Sequence, residues 1–307
     1  MTSQTHLTWK EHTGPVCHHK SPYTVIACER CGFRHVVPLP TADELTKLYQ
    51  EQFYQADKPQ YFTRYEQDEA WWRLVYRDRF ELLEQSVVGA SRRLLDIGSG
   101  PGLFLRVGAE RGWDAWGLEP APTAVAYSQA RGAQVREGFF TADAVRDWAP
   151  FDAINLAHVL EHVPNPFDVL DAVRAKLAPN GVVCIVVPND YNPLQAAAQH
   201  TLGLPPWWMA PPHHLSYFDF DSLARLLARC GFIEVARTTT FPMEWFLLMG
   251  DNYVDDDTVG RALHAKRKNW ETALEQSGLA EQKRQMFRAL AQQGWGREVV
   301  MIARTCP

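Results

Sequence analysis

The sequence lacks long hydrophobic runs, is poor in cysteine and carries no excess of positive charge. None of its stretches approaches the roughly 18 to 20 apolar residues that span a bilayer. Its six cysteines are too few for a disulfide framework, which favours reduced thiols. The N-terminal residues contain no apolar core of the kind that a signal peptide needs. We therefore expect a cytoplasmic chain with no membrane segment.

Charge and composition narrow the class of protein. Acidic residues outnumber basic ones by 36 to 31, for a net charge of −5. A protein that relies on generic phosphate contacts would be basic, so nucleic acid is not the expected partner. Apolar residues make up 46% of the chain and charged residues 22%, as in globular proteins. At 307 residues, the chain has room for one large domain or two smaller ones.

The chain divides into four regions by pattern. The N-terminal region holds three of the cysteines and shows no helical period. An aromatic-rich helical lead-in follows, and the capping box of Thr41 with Glu44 opens it. Residues 259–293 have a helical period and many charges, and 299–303 are expected to close the chain as a strand. The expected boundaries are 1–40, 41–90, 91–240 and 241–307.

Short apolar runs alternate with helical patterns in the third region. The expected strands are 94–97, 115–118, 134–136, 153–156, 182–187 and 232–236. The expected helices are 103–111, 123–131, 167–177 and 222–230. Strands separated by helices of this length indicate βαβ units and a parallel sheet that is covered on both faces. The pattern therefore predicts an α/β fold with a doubly wound sheet.

Glycines at 98, 100 and 102 form a G-x-G-x-G loop between an expected strand and helix. Such a loop allows a tight turn and the close approach of a ligand to the backbone. Asp96 ends the first strand, and Glu119 ends the next one, about 20 residues further on, where a carboxylate can accept both hydroxyls of a ribose. A dinucleotide fingerprint would have its third glycine one residue later, which argues against a nicotinamide dehydrogenase.

The segment 94–102, LLDIGSGPG, resembles the first strand and loop of class I S-adenosylmethionine-dependent methyltransferases. Residues 158–166, HVLEHVPNP, and 178–189, APNGVVCIVVPN, resemble the family's fourth and fifth strand regions. The resemblance covers about 90–240. It implies a Rossmann-like sheet, mostly parallel with an antiparallel last strand, and S-adenosylmethionine as the methyl donor.

The resemblance also implies roles for single residues. Glu119 would hold the ribose, Phe139 would pack on the adenine, and Tyr61 and Tyr65 would fold over the donor. The residues expected around the rest of the donor are Asp96, Gly98, Ser99, Gly100, Gly102 and His158.

The acceptor side resembles methyltransferases that are encoded with polysaccharide and natural-product pathways. The P-x-P-T-x-x-E-L segment after the cysteines and the run PPHHLSYF at 211–218 carry this resemblance. It implies a small-molecule acceptor, methylated at a hydroxyl of a sugar or secondary metabolite. Imidazole titrates near neutrality, so the candidate bases are His162 and His214 first, then His158 and His213. Trp207 and Trp208 are expected to form a wall of the acceptor site beyond the strand ends.

Two patterns suggest metal ions. The sequence C-x-x-C-G at Cys28 and Cys31 is typical of a zinc-ribbon knuckle. Cys17 is expected as the third zinc ligand, and His19, or else His18, as the fourth. A pair of unrelated cysteines on a turn is the alternative.

The run H-x-x-E-H at 158–162 matches an inverted zinc-protease motif, which requires a helix, but Pro164 follows at once. The run also resembles the E-x-x-E-H divalent-ion site of some quinone-pathway O-methyltransferases and RNA 3′-end methyltransferases. His213 or His214 would then add a ligand. The alternative is that Glu161 and His162 line the pocket without a metal ion.

Other function classes stay open at this point. An RNA or protein methyltransferase is the nearest alternative. Another is a non-catalytic module that binds S-adenosylmethionine and uses the cysteine segment to contact a partner. The acceptor and the oligomeric state, including a homo-oligomer, are not determined by these patterns.

Overall fold

The computed structural model describes residues 5–48, 60–89 and 91–306. The part of the aromatic lead-in at 49–59 lies outside these residues. In the described part, the chain forms a five-stranded sheet and a seven-stranded sheet, with helices around the larger one. None of the described helices is both long and apolar enough to cross a membrane.

The smaller sheet is built mainly from the N-terminal region. Its strands are β1 (His6–Trp9), β2 (His12–Lys20), β3 (Tyr23–Ala27) and β4 (Arg34–Val37). They pair antiparallel in chain order. A fifth strand comes from much later in the chain: β10 (Ser216–Tyr217) pairs with β4, with Ser216 opposite His35. The larger fold thus contributes a strand to the N-terminal sheet.

Three helices lead from this sheet to the core. They are α1 (Ala42–Lys47), α2 (Tyr61–Gln67) and α3 (Glu69–Ser86). The predicted capping box is present at α1, since the Thr41 hydroxyl accepts from the Glu44 backbone and the Glu44 carboxylate accepts from the Thr41 backbone.

The larger sheet contains the predicted βαβ units. Its first elements are β5 (Arg93–Ile97), α4 (Leu103–Glu110), β6 (Asp114–Glu119), α5 (Pro122–Gln129), β7 (Gln134–Glu137), β8 (Phe151–Ala157), α6 (Pro166–Lys176) and β9 (Leu177–Pro188). These five strands are parallel to one another. Residues 182–187 of β9 are fully buried, as expected of a strand covered on both faces.

The remaining elements complete the sheet and add further helices. They are α7 (Pro193–Leu202), α8 (Phe220–Arg229), β11 (Phe232–Thr238), α9 (Glu244–Leu248), α10 (Asp257–Gln276), α11 (Ala280–Gln292) and β12 (Glu298–Thr305). The strand order is β11-β12-β9-β8-β5-β6-β7. The last strand, β12, is antiparallel to both neighbours. The predicted fold class is confirmed.

Ion pairs hold α3 against the C-terminal helices. The Lys283 ammonium is buried and lies 2.7 Å from the Asp78 carboxylate. The Glu271 carboxylate accepts from the Trp71 indole at 2.9 Å and from Arg267 at 2.8 Å. Displacement of α3 would leave a buried charge without its partner, which is energetically costly. These contacts therefore fix the position of α3 against the C-terminal helices.

Candidate active site

The glycine loop has a backbone that other residues rarely adopt. Gly98, Gly100 and Gly102 have φ values of 70°, 49° and 75°. A Cβ atom at Gly98 would lie 2.7 Å from a methyl carbon of Val159, and one at Gly102 would lie 2.7 Å from Ser128 Cβ. Side chains are therefore excluded at this turn by conformation and by space.

Glu119 lies at the centre of this loop. One carboxylate oxygen accepts from the Gly100 amide at 2.9 Å, and the other accepts from the Ala121 amide at 3.0 Å. Burial raises the pKa of Glu119, and the two amide hydrogen bonds oppose that shift. Ser99 adds a buried hydroxyl that has no hydrogen-bond partner among the described residues. The loop thus holds two buried polar groups, the Glu119 carboxylate and the Ser99 hydroxyl, that a ligand could contact.

Asp96 is the second buried acid of the loop. Its carboxylate accepts from the Asn155 amide at 2.7 Å, and burial raises its pKa to about 7. Asn155 lies on β8, beside the strand that carries Asp96. The two residues therefore present a hydrogen-bonded pair at the carboxyl end of the sheet.

Two aromatic features lie beside these acids. Tyr61 and Tyr65 stack with their ring centroids 5.9 Å apart. Burial is the main cause that raises the pKa of each, and the nearby carboxylates of Glu119 and Asp96, respectively, add to it. Phe139, two residues beyond β7, is 39% exposed although it is large and apolar. Tyr61 and Tyr65 thus lie near the two acids, and Phe139 follows β7, the strand that pairs with β6.

His158 lies between two carboxylates. Its Nδ1 is 3.2 Å from Glu161 Oε1, and its Nε2 is 3.1 Å from Glu298 Oε1. Since ionised carboxylates only accept, both ring nitrogens carry protons. Burial opposes this charge, but the two carboxylates outweigh it and raise the pKa of His158 to about 10. His158 is therefore an imidazolium at neutral pH and unsuited to act as the base. Sequence reasoning missed Glu298, because no motif connects it to His158.

The other histidines gather around Glu161. His162 Nδ1 lies 2.6 Å from the His213 carbonyl oxygen, so it donates that hydrogen bond and leaves Nε2 facing Glu161. The rings of His162 and His214 are 5.0 Å apart. Donor atoms of Glu161, His162 and His214 all lie within 4.8 Å of one another. Burial lowers the pKa of His214 to about 4, so this imidazole is neutral.

A cleft of about 320 Å³ opens between α3, α10 and the start of β12. Glu298, the partner of His158, lines it. Trp72 also lines the cleft and stacks on Tyr65 at 5.6 Å. The cleft therefore adjoins the glycine-loop site on two sides.

Trp207 and Trp208, the predicted wall of the acceptor site, pack mainly against the N-terminal sheet. Trp208 is 9% exposed and packs in a cluster with Val25, Val36 and Tyr217, and Trp207 packs against the same cluster. Neither tryptophan lines the cleft beside α3. Their apolar surface is used to join the loop after β9 to the N-terminal sheet.

The cysteine knuckle lies in a group of four ligand-type side chains: His12, Cys28, Cys31 and His35. His12 Nδ1 is 3.6 Å from Cys28 Sγ and 3.4 Å from Cys31 Sγ. His35 Nδ1 donates to the Val36 carbonyl oxygen at 2.9 Å, which leaves its Nε2 as a lone-pair donor. That Nε2 is buried without a hydrogen-bond partner among the described residues. Two thiols and two imidazoles are a common ligand set for tetrahedral zinc.

The predicted ligands Cys17 and His19 lie outside this group. In the β2–β3 hairpin, His19 pairs with Thr24, and its Nδ1 hydrogen-bonds the Thr24 hydroxyl at 2.9 Å. The Cys17 thiol donates to the Pro15 carbonyl oxygen. The alternative, His18, hydrogen-bonds Tyr191. His18 and His19 lie toward the turn of the hairpin, and Cys17 packs against the cluster of Val25 and Trp208, whereas Cys28 and Cys31 belong to a different cluster.

The knuckle instead meets the beginning of β2, where the Glu29 amide donates to the Thr13 carbonyl oxygen, next to His12. His35 reaches it from the adjacent strand, opposite Ile26. The sequence signal was a histidine four residues after the second cysteine, and the pairing of the strands was needed to recognise it.

Comparison with known proteins decides the family. The methyltransferase domain family matches residues 35–236, about two thirds of the chain. The chain belongs to this family. The predicted relationship to class I S-adenosylmethionine-dependent methyltransferases is therefore confirmed.

Several methyltransferases resemble the chain. It is 33% identical over 111 residues to the ubiquinone biosynthesis O-methyltransferase of Pseudomonas putida, over 34% of this chain and 48% of that protein. The protein of the same name from Roseobacter denitrificans is 32% identical over 155 residues, covering 47% of this chain and 61% of that protein. The chain thus spans about half the length of the curated relatives it matches. A solved SAM-dependent methyltransferase from Archaeoglobus fulgidus shares the fold, with a TM-score of 0.50, 18% identity and coverage of 78% of this chain and 98% of that one.

Proposed function

We propose that the chain transfers a methyl group from S-adenosylmethionine to an oxygen atom of a small-molecule acceptor, a hydroxyl of a sugar or secondary metabolite. The observation that carries the proposal is Glu119, a buried carboxylate fixed by the glycine-loop amide. A carboxylate there suits the two hydroxyls of a ribose. The names of the curated relatives, O-methyltransferases, support oxygen as the acceptor atom.

The residues present fit this donor. The buried Ser99 hydroxyl without a partner and the glycine turn leave polar atoms and backbone open to a ligand. Asp96 and the loop would hold the amino-acid part of the donor, and the exposed ring of Phe139 would cover its adenine. The donor supplies a methyl group on a positively charged sulfur. Tyr61 and Tyr65 would exclude water from that region, which favours transfer to the acceptor over side reactions.

The proton of the acceptor hydroxyl needs a base within hydrogen-bond reach. We assign this role to His162 or His214. His162 exposes Nε2 because its Nδ1 is bound to a backbone carbonyl. Burial keeps His214 neutral. His158, held as an imidazolium, instead contributes a fixed positive charge beside Glu161 and Glu298.

The arrangement of Glu161, His162 and His214 favours a second role for these side chains, as ligands of a metal ion. One carboxylate and two imidazoles within 4.8 Å of one another suit a divalent transition-metal ion with open positions. Such an ion would hold the acceptor oxygen and lower its pKa, and the histidines would then act as ligands instead of bases.

We also propose that His12, Cys28, Cys31 and His35 hold a structural zinc ion. His35 is oriented for this role by its hydrogen bond to Val36, as metal-binding histidines usually are. Four protein ligands leave no position for a substrate, so this ion would stabilise the fold and take no part in the chemistry.

The experiment that tests the main proposal has two steps. Calorimetry first measures S-adenosylmethionine binding to the full chain, for which we expect micromolar affinity. The protein is then incubated with labelled donor and a panel of hydroxylated metabolites, and mass spectrometry identifies the product. Absence of donor binding would refute the proposal.

A further inference from the structure

The cleft beside α3 has apolar walls made largely of flat rings. Trp71 and Trp72 line it from α3, with their ring centroids 4.6 Å apart, and Met243 and Tyr253 line it from the C-terminal region. Its volume of about 320 Å³ is in the range of pockets that bind small metabolites. Aromatic walls of this kind favour a ligand with an apolar ring.

Two guanidinium groups also line the cleft and have unused donors. Arg267 binds Glu271 through Nε, and its terminal nitrogens have no hydrogen-bond partner among the described residues. In the same part of the chain, the exposed side chain of Arg297 has neither a hydrogen bond nor an ion pair. Guanidinium donors match the geometry of a carboxylate.

Glu271 neutralises Arg267, so Arg297 carries the positive charge of the cleft that has no ion-pair partner among the described residues. Glu298 is committed to His158, and Glu271 is committed to Arg267 and the Trp71 indole. Two further carboxyls, of Asp190 and Glu244, act on Arg297 from outside ion-pair distance. Both are buried, and burial raises their pKa values.

We propose that the methyl acceptor is an amphipathic carboxylate: an apolar, ring-containing body that lies between the tryptophans and Met243, with its carboxylate bound by Arg267 and Arg297. This inference rests on the proposed function and names its substrate class. It places the reacting hydroxyl toward Glu298 and His158, at the side of the cleft that adjoins the donor site. A neutral sugar would leave Arg297 without an anionic partner.

The test uses the full chain saturated with S-adenosylhomocysteine and two probes that differ by one charge. Calorimetry measures binding of 4-hydroxycinnamate and of its methyl ester. We expect the acid to bind at least 10-fold more tightly than the ester. Arg297→Gln should reduce this preference to less than 2-fold, because the guanidinium group that binds the carboxylate is removed. Arg261→Gln is the matched control: Arg261 lies on α10, is exposed and pairs with Asp257 away from the cleft, so the preference should persist.

The outcomes separate this inference from the proposed function. Equal binding of acid and ester, tighter binding of a neutral methyl glucoside, or no binding of either probe to protein that binds S-adenosylhomocysteine would each overturn the inference and leave donor binding intact. An unchanged preference in Arg297→Gln would overturn the assignment of the arginines. Failure of the wild-type chain to bind S-adenosylhomocysteine would overturn the proposed function itself.

Discussion

His158 and Glu298 form an ion pair across the carboxyl end of the sheet, with His158 Nε2 3.1 Å from Glu298 Oε1. His158 follows β8, and Glu298 begins the antiparallel β12, so the pair joins residues 140 positions apart. His158 adopts a φ of 56°, which is uncommon for a non-glycine residue. The pair joins the end of β8 to the start of β12, the strand whose Glu298 lines the cleft.

Replacing Glu298 with Gln is expected to lower the pKa of His158 from its raised value, because one of its two carboxylate partners is lost. Histidine NMR titration measures this shift directly. Glu234→Gln is the control, since Glu234 pairs with Arg237 on the exposed surface of β11. An unchanged His158 titration in Glu298→Gln would show that the pair has no electrostatic importance.

The same pair predicts how stability depends on pH. The raised pKa of His158 stabilises the fold fully below about pH 6.5, and this contribution is lost as pH rises toward 10. The lowered pKa of Glu298 acts in the opposite sense, so its contribution is lost as pH falls below about 4.5. The difference in melting temperature between wild type and His158→Gln should therefore be largest between about pH 5 and 6.5. A difference that grows toward pH 10 would contradict this.

Glu119→Ala is expected to weaken S-adenosylmethionine binding about 10- to 100-fold, because a charge-assisted contact to the ribose contributes roughly 1.5 to 3 kcal/mol. Calorimetry gives the dissociation constant. Glu137→Ala is the matched control: Glu137 lies opposite Glu119 on β7 and is exposed. Equal affinities for wild type and Glu119→Ala would remove Glu119 from the donor site.

The purified chain is expected to contain about one zinc ion, and the two candidate ligand sets make opposite predictions. Cys28→Ser and His35→Ala should lose the metal and melt at lower temperature. Cys17→Ser and His19→Ala should retain it, because neither residue belongs to the group of His12, Cys28, Cys31 and His35. Elemental analysis of protein prepared without chelator decides between them. Loss of zinc in Cys17→Ser with retention in His35→Ala would reverse the assignment.

Either His162→Ala or His214→Ala, whichever removes the base, is expected to lower kcat by about 10²- to 10⁴-fold. Donor binding should be retained in both variants. A chelator distinguishes the two roles of this cluster. Activity that disappears with chelator and returns with added divalent ion assigns the histidines as ligands. Full kcat in both variants together with insensitivity to chelator would refute both roles.

The sheet and the donor loop could be predicted from sequence because their signals are local. The expected helix 103–111 is observed as Leu103–Glu110, and the expected strand 182–187 lies within Leu177–Pro188. Helix α7 was missed, although Asn192, Pro193 and Gln195 supply a capping box with proline at its first position. The local signal was there, but no apolar period accompanied it.

The metal ligands and the role of His158 could not be predicted, because strand pairing determines both. His35 reaches the knuckle only through its place in the N-terminal sheet. Glu298 reaches His158 because the last strand inserts between β9 and β11. Contacts between residues so distant in sequence leave no periodic pattern.

The pairing of β10 with β4 makes the N-terminal sheet and the histidine loop one cooperative unit. Ser216 lies directly opposite His35, and the amides of Leu215 and Ser216 both donate to the carbonyl oxygen of Glu161. Local unfolding of the knuckle would therefore release the backbone that orders His214, at no direct cost to the glycine loop. If the proposed zinc ion is removed, we therefore expect the loop that carries His214 to lose order while the glycine loop keeps its conformation.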